Sequence, residues 1–180
     1  MTNYFESRIA KLQKLLKKLD LDGLVVYQGA NTKYLTGFDG GTGDGVVVVG
    51  PNRARLITDA RYEEDYKDRL PEGVDFMVTR AYYEAAAQTA VEFGIKRLGF
   101  EASMPYAVYD VMDELLPADI SFDAVPEAIE ALREVKDEAE LAALRRAADA
   151  SIKAFNDLMA FIKPGICLLY TSDAADDMQC

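Results

Sequence analysis

Apolar residues recur at three- and four-residue spacing near the start of the chain. Ile9, Leu12, Leu15, Leu16 and Leu19 are interleaved with Arg8, Lys11, Lys14, Lys17 and Lys18. This predicts an amphipathic helix over 3–20. A basic amphipathic helix can lie on a membrane, but the ordinary reading is a surface helix packed on a sheet. Asp22-Gly23 closes it, and 24–27 reads as a short buried strand. Residues 28–45 are rich in Gly, Asn, Asp and Thr and predict a loop, with one helical turn at 31–35 capped by Asn31. Residues 46–49, a turn at 50–53, and 54–58 predict a β-hairpin.

The pattern then alternates. A helix over 60–70 closes at Leu70-Pro71, and a strand follows at 74–78. A helix over 82–93 ends at Gly94, and 97–100 is a strand. A helix over 105–116 is opened by Pro105 and stopped by Pro117. A short strand at 120–122 is the last. Strands alternating with helices predict an α/β domain whose sheet is covered on both faces, and the hairpin makes that sheet mixed.

After Pro126 the texture changes. Residues 127–163 are rich in Ala, Glu, Leu, Lys and Arg and predict almost continuous helix. Asp137 with Glu140 provides a carboxylate-rich first turn. Leu141, Leu144, Ala148, Ile152 and Phe155 carry the apolar stripe. A helix of about 25 residues needs something to pack against, and little sequence remains to supply it. Residues 166–180 continue no periodicity and read as a non-native tail. The expected organisation is therefore an α/β domain at 1–126, a linker and first helix of a further domain at 127–165, and the tail at 166–180.

Composition narrows the chemistry. The formal net charge of -11 argues against binding a nucleic-acid backbone, which needs clustered Lys and Arg. Charges run throughout 1–20, so no secretory signal is read, and no apolar run approaches the about 20 residues of a membrane span. The two cysteines are Cys167 and Cys180. The body thus has no disulfide framework, and a reducing cytoplasm is the expected home. There are no histidines, which excludes His-dependent triads and His-containing zinc sites. An all-carboxylate site for a hard cation stays open.

Few motifs carry chemistry. Gly40, Gly41, Gly43 and Gly45 precede a strand, whereas a phosphate loop follows a strand and opens a helix. They read as a flexible loop that another chain segment can approach closely. The pairs Glu63-Glu64 and Asp176-Asp177 read as solvated surface, because helix neighbours point to different faces. Cys167 and Cys180 lack partners for a metal. Asp59-Ala-Arg61-Tyr62 lies where a strand hands over to a helix. Asp59 can cap that helix, and Arg61 can form a bidentate pair with a carboxylate, either internal or on a ligand.

Several stretches together point further. Asn31-Thr-Lys-Tyr-Leu-Thr-Gly-Phe38, Leu56-Ile-Thr-Asp-Ala-Arg-Tyr62, Leu98-Gly-Phe-Glu101, Ala131-Leu-Arg-Glu-Val-Lys136 with 138–148, and Lys163-Pro-Gly165 occur in this order. The set resembles the N-terminal domain of the creatinase, aminopeptidase P and prolidase family, the pita-bread metallopeptidases. The resemblance implies a three-layer α/β/α domain with a mixed sheet, followed by a long linker helix. It implies an intact parent that hydrolyses the bond preceding proline, with a peptide substrate carrying proline second. That parent would use two divalent ions (manganese, cobalt or zinc) held by two Asp, one His and two Glu in a catalytic domain. This chain has no counterpart of those ligands, so no catalytic or metal residue is assigned in it, and it is expected to stop after the first helix of the catalytic domain. The implied partners are that catalytic domain and a second copy in a homodimer. On the same analogy Tyr34, Phe38, Arg61 and Tyr62 are candidates to face substrate or the dimer partner. A rival reading is a non-catalytic interaction module of the same architecture that binds a basic protein partner, which the acidic charge would suit.

Overall fold

The structure is a computed structural model and describes residues 4–166. The chain divides into two compact units, Met1–Val135 and Lys136–Cys180.

The first unit follows the alternation of the sequence. Helix α1 (Tyr4–Lys18) leads to β1 (Gly23–Val26), α2 (Gly29–Thr36) and the hairpin β2 (Gly45–Val49) and β3 (Ala54–Thr58). A 3-10 turn (Ala60–Tyr62) runs into α3 (Glu63–Tyr66). Then come β4 (Val74–Val78), α4 (Tyr82–Glu92), β5 (Arg97–Glu101), α5 (Tyr106–Leu115), β6 (Ser121–Val125) and α6 (Ala128–Glu134). The strands form one six-stranded sheet in the order β4-β3-β2-β1-β5-β6. β2 is antiparallel to both neighbours, and every other pairing is parallel. The C-terminal ends of the five parallel strands and the N-terminal end of β2 therefore share one edge of the sheet.

Strand alternation sorts the core into two layers. Leu24, Val26, Val47, Val49, Ala54 and Leu56 point to one face, where Ile9, Leu12 and Leu16 of α1, Leu35 of α2 and Ile129 of α6 cover them. Val25, Val46, Val48, Ile57 and Leu98 point to the other, under Ala86 and Ala90 of α4 and Met112 of α5. The domain is thus α/β/α with a mixed sheet. The sheet centre reads as continuous valine because both of its faces are buried.

The structure refines several boundaries. α2 is two turns long and begins after Gln28, so Asn31 lies within the helix and does not cap it. Gly37 ends α2 at φ 79, a left-handed position that favours glycine. The segment 60–70 is a 3-10 turn and a single α-turn, with Asp59 as the cap, its side chain accepting from the Arg61 amide. The last strand reaches Val125, longer than the pattern of 120–122 suggested. The helical stretch 127–163 is broken. α6 stops at Glu134 and Val135 is extended, so a new helix starts at Glu138. The compact unit runs past Pro126 because α6 buries Ala128 and Ile129.

In the second unit, α7 (Glu138–Phe161) opens with a capping box. Asp137 accepts from the Glu140 amide at 2.9 Å, and Glu140 accepts from the Asp137 amide at 3.0 Å. Leu144, Ile152 and Phe155, three members of its apolar stripe, are exposed. The tail assigned to 166–180 lies, apart from Ile166, outside the described residues.

Candidate functional site

The shared sheet edge is where α/β sheets commonly place their ligand crevices. Two clusters form there.

The first surrounds Arg61. β3 ends at Thr58, so Asp59 leaves the strand at its C-terminal end and caps the turn that carries Arg61 and Tyr62. The Arg61 guanidinium grips Asp59 in a bidentate fashion. Nε donates to Oδ1 at 2.9 Å, and Nη2 donates to Oδ2 at 2.8 Å. Nη2 also donates to Oδ1 of Asp44 at 2.9 Å. Asp59 accepts a further bond from the Tyr82 hydroxyl at 2.7 Å. Asp44 accepts the Gly41 amide at 2.9 Å, and its backbone carbonyl accepts the Thr58 hydroxyl at 2.6 Å. One arginine thus ties the glycine-rich loop to the end of β3. The sequence left open whether Arg61 pairs with an internal or an external carboxylate, and its partners are internal.

The electrostatics follow. Asp59 is held well below the usual carboxylate range, first by Arg61 and then by the Tyr82 hydroxyl. Asp44 is lowered first by Arg61 and then by the Gly41 amide. Burial raises the Tyr62 and Tyr82 phenols, and bonds to Asp44 and Asp59 respectively add to this. Both carboxylates are therefore fully ionised at neutral pH. The cation between them is a side chain of the protein. Among the described residues no group of His, Cys, Asp or Glu is arranged to hold a metal ion.

The second cluster surrounds Glu101 at the end of β5, where the strand order reverses direction. Glu101 is buried, and its Oε2 accepts the Tyr27 and Gln28 amides at 2.6 and 2.7 Å. Its Oε1 accepts the Asn31 side-chain amide at 2.6 Å. The same Asn31 nitrogen donates to Glu130 at 2.6 Å, and Asn31 Oδ1 accepts Nη1 of Arg133 at 2.7 Å. Burial raises the Glu101 carboxyl, against the lowering effect of the Asn31, Gln28 and Tyr27 bonds. Beside it lies a cleft of about 420 Å³ reached by Ser103, Pro126 and Glu127.

Burial divides the four candidate positions. The Arg61 side chain is 60% exposed, and Tyr62 lies beside it, partly buried. Tyr34 and Phe38 are core residues, at 7% and 1% exposure. Arg8 lies over the Tyr34 ring at 4.3 Å and donates to the Tyr34 carbonyl at 2.9 Å. Phe38 meets Tyr62 and Tyr66 edge-to-face, each with centroids 5.0 Å apart, so it supports Tyr62 from below. Asn31 and Glu101 both stand in the sequence motifs, but their pairing is not legible there. The available signal was Glu101 at the end of an otherwise apolar strand; Asn31 stands among other polar residues and gave none. Asp44 and Tyr82 are not legible there either, because each meets the Arg61 cluster only through the fold.

A covered mixed sheet with its charged clusters at the C-terminal strand ends defines a three-layer α/β domain of the creatinase N-terminal kind. The chain belongs to the creatinase/prolidase N-terminal domain family, whose model matches residues 8–135. An uncharacterized peptidase of Bacillus subtilis, YqhT, is 34% identical over 160 residues, covering 88% of this chain and 44% of that protein. Among solved structures, an Xaa-Pro dipeptidase from Bacillus anthracis superposes with a TM-score of 0.84 at 27% identity, over 94% of this chain and 47% of that one. The N-terminal domain of the cytoplasmic peptidase PepQ from Mycobacterium tuberculosis superposes with a TM-score of 0.64 at 26% identity, over 70% of this chain and 98% of that one. The chain spans less than half the length of the curated relative YqhT. Among the described residues, no helix is long and apolar enough to cross a membrane.

Proposed function

We propose that this chain serves as the non-catalytic N-terminal domain of a cytoplasmic Xaa-Pro peptidase, an aminopeptidase or dipeptidase acting on peptides with proline second. In this reading the catalytic domain supplies two divalent metal ions, which activate the attacking water. The domain supplies dimer contacts and part of the active-site wall. The observation that carries the reading is the family match, which spans nearly the whole compact unit. Arg61 and Tyr62 are the peptide-facing candidates, since they are the accessible members of the four. Phe38 packs against Tyr62, and Tyr34 is buried under Arg8.

The role assigned to the chain is recognition and assembly. Arg61 has two carboxylates holding its Nε and Nη2 edge, which fixes the guanidinium plane before any ligand arrives. Such preorganisation lowers the ordering cost of binding a peptide carboxylate or carbonyl. The purified chain, assayed with manganese and an Xaa-Pro peptide, is expected to give no turnover. Metal-dependent hydrolysis by this chain alone would overturn the non-catalytic reading. Reading the encoding gene beyond the codon for Gly165 is expected to reveal the two Asp, one His and two Glu ligands, and a downstream domain without them would overturn the peptidase reading.

A further inference from the structure

The sheet has an open edge at β6, which among the described residues pairs only with β5. The Ser121 amide donates to the Lys96 carbonyl at 2.8 Å, and the Val125 carbonyl accepts the Ala102 amide at 3.2 Å. Residues 121 and 125 therefore aim their backbone groups at β5. By alternation, the N–H and C=O groups of Phe122 and Ala124 face outward. A groove of about 370 Å³ runs beside this edge, with apolar walls from Leu19, Leu21, Val125 and Pro126. Asp20 and Asp123 also line it.

The charge along this groove is one-sided. Among the described residues that line it, the one cation, Arg97, is paired with Asp20 and also bonds Asp22 at 3.4 Å. The Asp123 side chain is exposed, and its carboxylate has no hydrogen-bond or ion-pair partner among the described residues. Beyond the strand, Glu127 is exposed as well. An open edge offers ladder hydrogen bonds to any extended chain, and the flanking side chains then decide which chain is accepted. Antiparallel pairing with a second copy would bring acidic edge to acidic edge, in a chain of net charge -11. A basic segment gains from the same carboxylates.

We propose that the β6 edge and its groove form a docking surface for an extended, Lys- or Arg-bearing segment of a partner protein, added as a seventh strand. The segment's backbone pairs with Phe122 and Ala124, its apolar side chains enter the groove over Leu19 and Leu21, and its cations meet Asp123 and Glu127. This proposal is independent of the peptidase reading.

The test is a titration of the full chain with a blocked peptide of alternating lysine and valine, followed by amide chemical shifts and hydrogen exchange. A peptide with glutamate in place of lysine is the control. Shifts and exchange protection are expected at Phe122 and Ala124, with affinity falling as salt is raised. Asp123→Lys is expected to weaken binding about tenfold or more, because it places like charges together. Ala124→Pro removes an outward N–H, which an edge strand tolerates, and is expected to abolish binding with the fold retained. If that variant fails to fold, Asp123→Lys carries the test alone. Equal binding of the glutamate peptide, shifts confined to other strands, unchanged affinity in Asp123→Lys, or a dimer of this chain sealed through β6 would each overturn the proposal.

Discussion

The carboxylate of Glu101 accepts the side-chain amide of Asn31 at 2.6 Å across 70 positions of sequence. The same amide nitrogen reaches Glu130. One carboxamide therefore ties α2, β5 and α6 together at the sheet edge, and its removal strands two acceptors, one of them buried.

Asn31→Ala is accordingly expected to destabilise the domain by about 2 kcal/mol or more, the scale for leaving buried polar groups unsatisfied. Urea unfolding of the variant against the parent chain checks it. An unchanged midpoint would mean that water replaces the amide without loss.

Glu101 has a pH signature of its own. Its folded carboxyl lies above the ordinary 4.5 because of burial. A raised folded value gives stability that is fully present below about pH 4.5 and is lost as pH rises through the folded value. As pH rises above about 4.5 and through that folded value, the parent chain should therefore lose a component of stability that Glu101→Gln lacks. Denaturant melts at stepped pH values measure the difference in slope.

The Arg61 clamp titrates in the opposite sense. Asp59 and Asp44 sit below the ordinary 3.8, first because of Arg61, so the stability they contribute is present above that value and fades as pH falls below it. Arg61→Met should return both carboxyls toward ordinary values in a carbon-detected NMR titration. Arg61→Lys should restore them only in part, since an ammonium lacks the two-pronged guanidinium fork.

α6 is expected to be indispensable to the first unit. Ile129 is fully buried, and Ile129→Ala should cost about 2–5 kcal/mol. Leu144 on α7 is 53% exposed, and Leu144→Ala in the same chain should stay within about 0.5 kcal/mol. A chain ending at Val135 should unfold cooperatively, whereas one ending at Pro126, which lacks Ile129 and Arg133, should have a clearly lower midpoint. Equal midpoints would place α6 outside the cooperative unit.

Much of this architecture is legible in the sequence. The valine run of β2 marks a strand buried on both faces. The three- and four-residue spacing in α1 marks a helix with one covered side, and Asp137 with Glu140, read as a carboxylate-rich first turn, opens α7 as a capping box. These features are local: period, cap and turn residues act within a few positions of one another. The motif order also placed the chain in its family, because Asn31, Asp59, Arg61 and Glu101 stand in stretches that can be matched one by one.

Tertiary structure decided what those residues do. Asn31 reads as a cap because asparagine favours caps, yet its amide is taken by Glu101 and Glu130 from elements 70 and 99 positions away. Arg61 stands 17 positions from Asp44, and only the fold brings the two together from across the hairpin. Glu101 reads as the polar end of an apolar strand, and only the reversal of strand order between β1 and β5 buries it. A sequence encodes the period of each element directly. Which polar groups meet at the sheet edge depends on strand order and helix docking, and these are set by the packing of the whole core.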